Sequence, residues 1–191
     1  ESMYNNTTSS DSIAIGYQTL YTGTGLTQQL AIGNQAGYNT TGSDNVFIGH
    51  EAGYATTTGY ANTAIGHRVF RTNSTGYDNT AIGLAALGDC TTGYRNVACG
   101  KQALDLATTG HNNACLGFYA GGQLTTGSNN ILLGTDGGTH LGPSGSITTQ
   151  SNIVNLGNNS ITDIYCADTS ISSSDSRDKT DITDFTKGLD W

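Results

Sequence analysis

Short apolar runs recur along this chain at intervals of 17 residues, and each run ends at a glycine. Representative runs are Val46–Ile48, Thr63–Ile65 and Ile131–Leu133. Alternate residues of a strand point to opposite faces, so the first and third residues of each run share one face. We expect this face to form the hydrophobic interior and the small middle residue to point outward. The interior ladder is represented by Ile48, Ile65 and Ile82.

Two glycine positions define the repeat, one ending a Thr-Thr-Gly turn and the other following the strand. The strand glycines lie 17 residues apart, except for a step of 16 from Gly33 to Gly49, and the spacer from Gly25 to Gly33 carries one extra residue. Helical-pair repeats are much longer, and glycines at this density would each destabilise a helix by about 1 kcal/mol. The repeat therefore predicts an all-β fold, a parallel β-roll or β-solenoid of 17-residue coils stacked about 4.8 Å apart. Each coil has room for a second short strand, for example at residues 52–58.

One asparagine also recurs, four residues before the strand glycine. Stacked asparagines hydrogen-bond along the stack and satisfy the backbone of turns, so we interpret this column as a structural ladder. Its members are Asn45, Asn62, Asn79, Asn96, Asn113 and Asn130.

The predicted interior is thin, because each coil contributes one isoleucine and one valine or threonine. Solenoids bury only what neighbouring repeats supply, so a single stack this lean would be marginally stable. The small residues on the other face leave room for a partner, and we expect a parallel homotrimer. The alanines of this face are Ala14, Ala31, Ala64, Ala81 and Ala98.

The composition narrows the possible functions. The net charge is −8, from 7 basic and 15 acidic residues, which disfavours binding to a nucleic-acid backbone or to an anionic membrane surface. No apolar run approaches the length of a transmembrane helix. Only 12% of residues are charged, yet the apolar residues are strictly periodic, which favours an ordered structure over a disordered one. We expect no nucleic-acid partner, no membrane insertion and no cofactor.

Candidate chemistry is sparse. His50 and His67 follow strand glycines in adjacent coils, so they are either exposed loop residues, which we favour, or a metal site shared with symmetry mates. The cysteine spacings match neither a zinc motif nor a redox pair, and Cys99 and Cys115 occupy apolar repeat positions. We expect no metal site and no conventional enzyme activity. The four cysteines are Cys90, Cys99, Cys115 and Cys166.

Threonine and tyrosine rows suggest two kinds of surface. Thr-Thr pairs such as Thr57–Thr58 stack from coil to coil, but they lack the Thr-x-Thr spacing of an ice-binding face, so an ice-binding solenoid is the least favoured alternative. Tyr38 and Tyr54 lie in one row and Tyr60 and Tyr77 in another, which suits either glycan contact or packing against a partner chain.

The repeat pattern G-x-x-N-T-A-I-G-x-x-A, clearest at Thr58–Gly66 and Thr75–Gly83, resembles the head repeats of trimeric autotransporter adhesins. This resemblance covers residues 12–134. It implies a left-handed parallel β-roll assembled as a trimer, and it keeps a bacterial cell-surface adhesin head as an alternative function.

A second resemblance lies near the C-terminus. The run Ser174-Asp175-Ser176-Arg177-Asp178-Lys179, with Ile182, resembles the opening of the endosialidase-type intramolecular chaperone of bacteriophage tail fibres and tailspikes. The resemblance implies that the chaperone assembles the trimer and then releases itself, with Ser174 as nucleophile and Asp175 as its helper. The competing interpretation is a flexible serine-rich linker. Because only a short segment follows the motif, we expect self-cleavage in a longer parent protein and not in this chain.

Together these patterns predict three segments. Residues 1–138 form a β-roll shaft or head, residues 139–173 a β-rich trimeric neck, and residues 174–191 the start of an incomplete chaperone segment. The predicted function is a structural and adhesive part of a phage tail fibre. It would be located in the virion, and its partner would be a host cell-surface receptor, for which a glycan is one candidate.

Overall fold

A computed structural model describes residues 1–5, 8–139 and 145–162. Cys166, Ser174, Asp175 and the chaperone-like segment 174–191 lie outside the described residues. The described part contains nine three-residue strands, and no helix in it is long and apolar enough to cross a membrane. The strands are β1 (Ile13–Ile15), β2 (Leu30–Ile32), β3 (Val46–Ile48), β4 (Thr63–Ile65), β5 (Thr80–Ile82), β6 (Val97–Cys99), β7 (Ala114–Leu116), β8 (Ile131–Leu133) and β9 (Val154–Leu156).

All nine strands pair in parallel and in chain order within one sheet. Most strands pair with the residues 17 positions further along the chain. The step is 16 between β2 and β3, where Leu30 pairs with Val46, and 23 between β8 and β9, where Ile131 pairs with Val154. The prediction of an all-β parallel solenoid with coils of about 17 residues is confirmed.

The second strand predicted for each coil does not form. Residues 52–58 consist of turns and bends, because this half of the coil contains left-handed backbone conformations. In the next coil, for example, Arg68 and Phe70 both have φ of 53°, which interrupts an extended chain. The coils still stack here through backbone hydrogen bonds, such as the one from the Gly53 amide to the Val69 carbonyl (3.0 Å).

The two strand faces are oriented opposite to the sequence prediction. The middle residues of the strands, including Ala64, Ala81 and Ala98, are fully buried. The isoleucines expected in the interior point outward, since Ile82 is 40% exposed and both Ile48 and Ile65 are only partly buried. The interior is therefore lined by small strand residues.

Large side chains from the second half of each coil fill this interior. Phe70, Leu87 and Leu104 are fully buried in coils whose strand residue is alanine. Where the strand residue is the large Phe47, the second half-coil has Gly53 instead, and a side chain at that glycine would collide with the Phe47 ring. The inward volume is thus shared between the two halves of each coil, as close packing requires.

The sheet extends past the seven central coils into the segment 139–173. β9 lies in this segment and pairs with β8. Asn155, at the middle of β9, is buried, and its Oδ1 accepts a hydrogen bond from the Gly138 amide (2.9 Å). Ile147, in the longer connection before β9, adds an apolar side chain to the core. Residues Glu1–Ile161 form one compact unit.

Candidate interaction surfaces

The asparagine column lies inside the solenoid and is fully engaged there. Asn79 donates from Nδ2 to Oδ1 of Asn62 (3.0 Å) and to the carbonyl of Gly93 (2.9 Å). Its Oδ1 accepts from the backbone amide (3.0 Å) and Nδ2 (3.1 Å) of Asn96. The same pattern links the six asparagines singled out in the sequence, all of which are buried. Both polar atoms serve neighbouring coils, so the column has a structural role and offers no group to a ligand.

The outward face of the sheet carries a continuous apolar surface, the outer strip, formed by the first and third residues of each strand. Leu116 is 55% exposed and Val97 is 48% exposed, and none of the strip residues is charged. The strip is two side chains wide and, with nine strands, roughly 40 Å long. An exposed apolar patch of this continuity marks an interaction surface. Its first column contains Ile13, Leu30, Val46, Thr63, Thr80, Val97, Ala114, Ile131 and Val154, and its second contains Ile15, Ile32, Ile48, Ile65, Ile82, Cys99, Leu116, Leu133 and Leu156.

The threonine pairs divide their hydroxyl groups between the structure and solvent. The first hydroxyl of a pair donates to the backbone of the next coil, as from Thr57 to the Ser74 carbonyl (2.8 Å) and from Thr91 to the Thr108 carbonyl (3.0 Å). The second residue, such as Thr92, is exposed. Half of the threonine surface that an ice-binding face would use is therefore occupied by bonds within the solenoid.

Aromatic side chains stack in columns along the solenoid. Tyr60 and Tyr77 have ring centroids 5.0 Å apart, Tyr77 and Tyr94 4.9 Å apart, and His111 continues this column at 4.6 Å from Tyr94. The other tyrosine column has centroid spacings of 5.2 Å. It contains Tyr4, Tyr21, Tyr38 and Tyr54. Because the rings cover each other's faces, the columns present ring edges and hydroxyl groups outward.

The two histidines weighed as metal ligands also stack on each other. His50 and His67 are exposed, with ring centroids 5.0 Å apart and planes inclined by 10°. Beside them, Glu51 accepts from Arg68 (2.9 Å) and Arg71 (3.2 Å). Partial burial opposes ionisation of Glu51, but the hydrogen bond and charge of Arg68 outweigh it and hold its pKa below the usual value. Among the described residues, no three histidine, cysteine or acidic side chains come together as metal ligands.

The described cysteines lie in two environments. Cys90 and Cys115 are buried in the core, and burial raises the pKa of each thiol to about 12. Thiols with so high a pKa are neutral at physiological pH and are poor nucleophiles and metal ligands. Cys99, expected to be buried, instead lies partly exposed in the second column of the outer strip, because it occupies the repeat position of the outward isoleucine.

The residues predicted for self-cleavage, Ser174 and Asp175, lie outside the described part of the chain, so their geometry does not enter here. Comparison of the chain with protein-family models, with curated proteins and with solved structures found no match. Functional inference therefore depends on the two surfaces that the solenoid displays, the outer strip and the aromatic columns, together with the sequence pattern.

Proposed function

We propose that this chain is a structural and adhesive shaft of a bacteriophage tail fibre, assembled as a parallel homotrimer. The observation that carries the proposal is the outer strip. Its uncharged apolar side chains extend over nine strands, and exposure of such a surface to water is unfavourable by roughly 25 cal/mol per Å². A partner that covers the strip would recover this free energy along the whole shaft.

A second copy of the chain is the partner that matches the strip best. The strip repeats once per coil, so a parallel neighbour with the same register offers a side chain at the same spacing at every layer. The strip is also only two columns wide. Around a threefold axis, each column can face a different neighbour, which favours three copies over two.

The fibre assignment adds the sequence pattern to this geometry. A stack of parallel coils is an extended scaffold, and the Ser174–Lys179 motif resembles the start of a chaperone that follows fibre shafts in phage proteins. In the proposed maturation, the chaperone of a longer parent protein aligns three chains. It then separates from the shaft by attack of the Ser174 hydroxyl on the preceding peptide carbonyl, with Asp175 assisting proton transfer. The mature shaft resides in the virion and contacts the host surface.

Light scattering on the whole chain tests the trimer. We expect three times the chain mass of 19.8 kDa at micromolar concentration. The variant Ile82→Asp places a charge in the middle of the outer strip and should yield monomers, because a buried carboxylate without a counterion opposes association. Thr92→Asp is the matched control: it adds the same charge at an exposed position outside the strip and should leave the trimer intact. A monomeric wild-type protein, or an Ile82→Asp variant that still assembles, would contradict the proposal.

A further inference from the structure

A surface rich in hydroxyl groups runs along the coils between residues 58 and 94, and we call it the hydroxyl face. It consists of two columns, Thr58, Thr75 and Thr92 in one and Tyr60, Tyr77 and Tyr94 in the other, with each threonine two residues before a tyrosine. The threonines are exposed, and Tyr60 is 46% exposed. Six hydroxyl groups therefore repeat in register with the coils.

These hydroxyl groups are available to a ligand. The threonines that precede them in each pair donate to the backbone, but within the described residues none of the six hydroxyls of the hydroxyl face makes a hydrogen bond. Buried or pre-paired hydroxyls would have to break an existing bond before binding, whereas these have only water to exchange.

The tyrosine rings hold their hydroxyl groups in a fixed array. The planes of Tyr60, Tyr77 and Tyr94 are inclined by only 2° and 4°, and the stack continues onto His111. His111 is itself held by a hydrogen bond between its Nδ1 and the Ser128 hydroxyl (2.9 Å). Tyrosine has few rotatable bonds, so a stacked column loses little further conformational entropy when a ligand binds.

The charges beside the hydroxyl face indicate what kind of ligand it suits. Asp78 and Arg95 follow Tyr77 and Tyr94 in the sequence, and they pair with each other (3.7 Å), so the face has no net charge. The whole chain carries a net charge of −8, which repels polyanions. Phosphorylated and sulfated ligands are therefore disfavoured, and neutral ligands with many hydroxyl groups are favoured.

We propose that the hydroxyl face binds an extended neutral polysaccharide lying parallel to the solenoid axis. In an extended β-1,4-linked glycan, hydroxyl groups recur once per sugar at a spacing close to the 4.9–5.0 Å between these tyrosine rings. Each coil can then bond to one sugar, and the contacts add along the chain. This inference rests on the proposed adhesive function and names the chemical class of its receptor.

Calorimetric titration of the whole chain with cellohexaose and with chitohexaose tests the inference, with maltohexaose as the comparison ligand. Maltohexaose is equally neutral, but its α-linkages curve the chain out of register with the coils. We expect binding to at least one β-linked hexamer and about tenfold weaker binding to maltohexaose. No binding to either β-linked hexamer, or equal binding to maltohexaose, would overturn the inference.

A matched pair of triple variants locates the site. Replacing Tyr60, Tyr77 and Tyr94 by Phe keeps the stack but removes the three hydroxyls, and should weaken β-glycan binding by about tenfold or more. Making the same change at Tyr21, Tyr38 and Tyr54 in the other column should leave binding unchanged. Equal affinity of the first variant and the wild type would overturn the inference. Light scattering separates this result from failure of the trimer: if the first variant loses trimers, the column is an interchain contact and not a glycan site.

Discussion

At the scale of single residues, the structure is organised by side-chain volume inside each coil. Ala81 is buried opposite Leu87, whereas Leu132 lies against Gly121 and Gly138, where a side chain would approach its methyl groups to about 3 Å. This inverse relation of volumes is visible in the sequence as alanine followed six residues later by leucine or phenylalanine, and as phenylalanine or leucine followed by glycine. The relation identifies the inward face, because side chains of complementary size must share one space.

The volume relation predicts energetic coupling between Ala81 and Leu87. Ala81→Leu should destabilise the fold by about 1–3 kcal/mol through overpacking, and Leu87→Gly by roughly 2–5 kcal/mol through a cavity. Leu87 has φ of 50°, which glycine adopts without strain, so the double variant should recover part of the loss by filling the cavity from the strand side. Urea unfolding of the four proteins measures the coupling. Strictly additive losses would show that the two side chains do not share one space.

At the scale of the element, the sequence predicted where the strands lie but not which face is inside. The period, the glycine turns and the asparagine positions locate all nine strands, since these signals recur at every coil. A three-residue strand, however, offers only two faces, and the larger aliphatic residues favoured the wrong one. The residues that decide the orientation, such as Phe70 and Leu104, lie in the half-coil that was expected to be a strand, where positive φ angles at both positions make turns instead.

The asparagine ladder predicts the behaviour of a pair of substitutions at one position. Asn79→Ala should cost about 3 kcal/mol, because it leaves the Gly93 carbonyl and the amide of Asn96 without partners inside the core. Asn79→Asp removes the Nδ2 donor and places a carboxyl group against those acceptors. Burial and these acceptors should raise the pKa of the new carboxyl group in the folded state.

The sign of the pH effect follows from that raised pKa. The folded state of Asn79→Asp should be most stable below the unfolded pKa of about 3.9, where the carboxyl group is protonated, and should lose stability as the pH rises through the higher folded value. Thermal unfolding at pH 4 and pH 7 measures this difference. Asn34→Ala, at an exposed position, is the control and should change stability by less than about 0.5 kcal/mol at either pH. Equal melting temperatures of Asn79→Asp at the two pH values would contradict a buried ladder.

At the scale of the whole molecule, the reversal of the faces changes what holds the proposed assembly together. The alanine face, first expected to meet a partner, is the core of a single chain, and the isoleucine face is the surface left for association. The prediction of a trimer is therefore unchanged in number but is now carried by different residues. A charge at Ala81 would disrupt folding of the single chain, whereas a charge at Ile82 would act on assembly, so the two neighbouring positions separate folding from association.

Cys99 offers a direct probe of whether the outer strip is covered in solution. In the single chain its side chain is partly exposed within the strip, while Cys90 and Cys115 are buried with thiol pKa values of about 12. Cys166 lies outside the described residues and is replaced by serine for the experiment. In the proposed trimer all three remaining thiols are shielded, so a water-soluble thiol reagent at neutral pH should label the protein slowly. Adding Ile82→Asp should release monomers in which one thiol, Cys99, reacts rapidly, while the other two stay protected as long as the fold is intact. Rapid labelling of Cys99 in the unmutated strip would mean that the strip is open to water, and another explanation for its apolar side chains would then be needed.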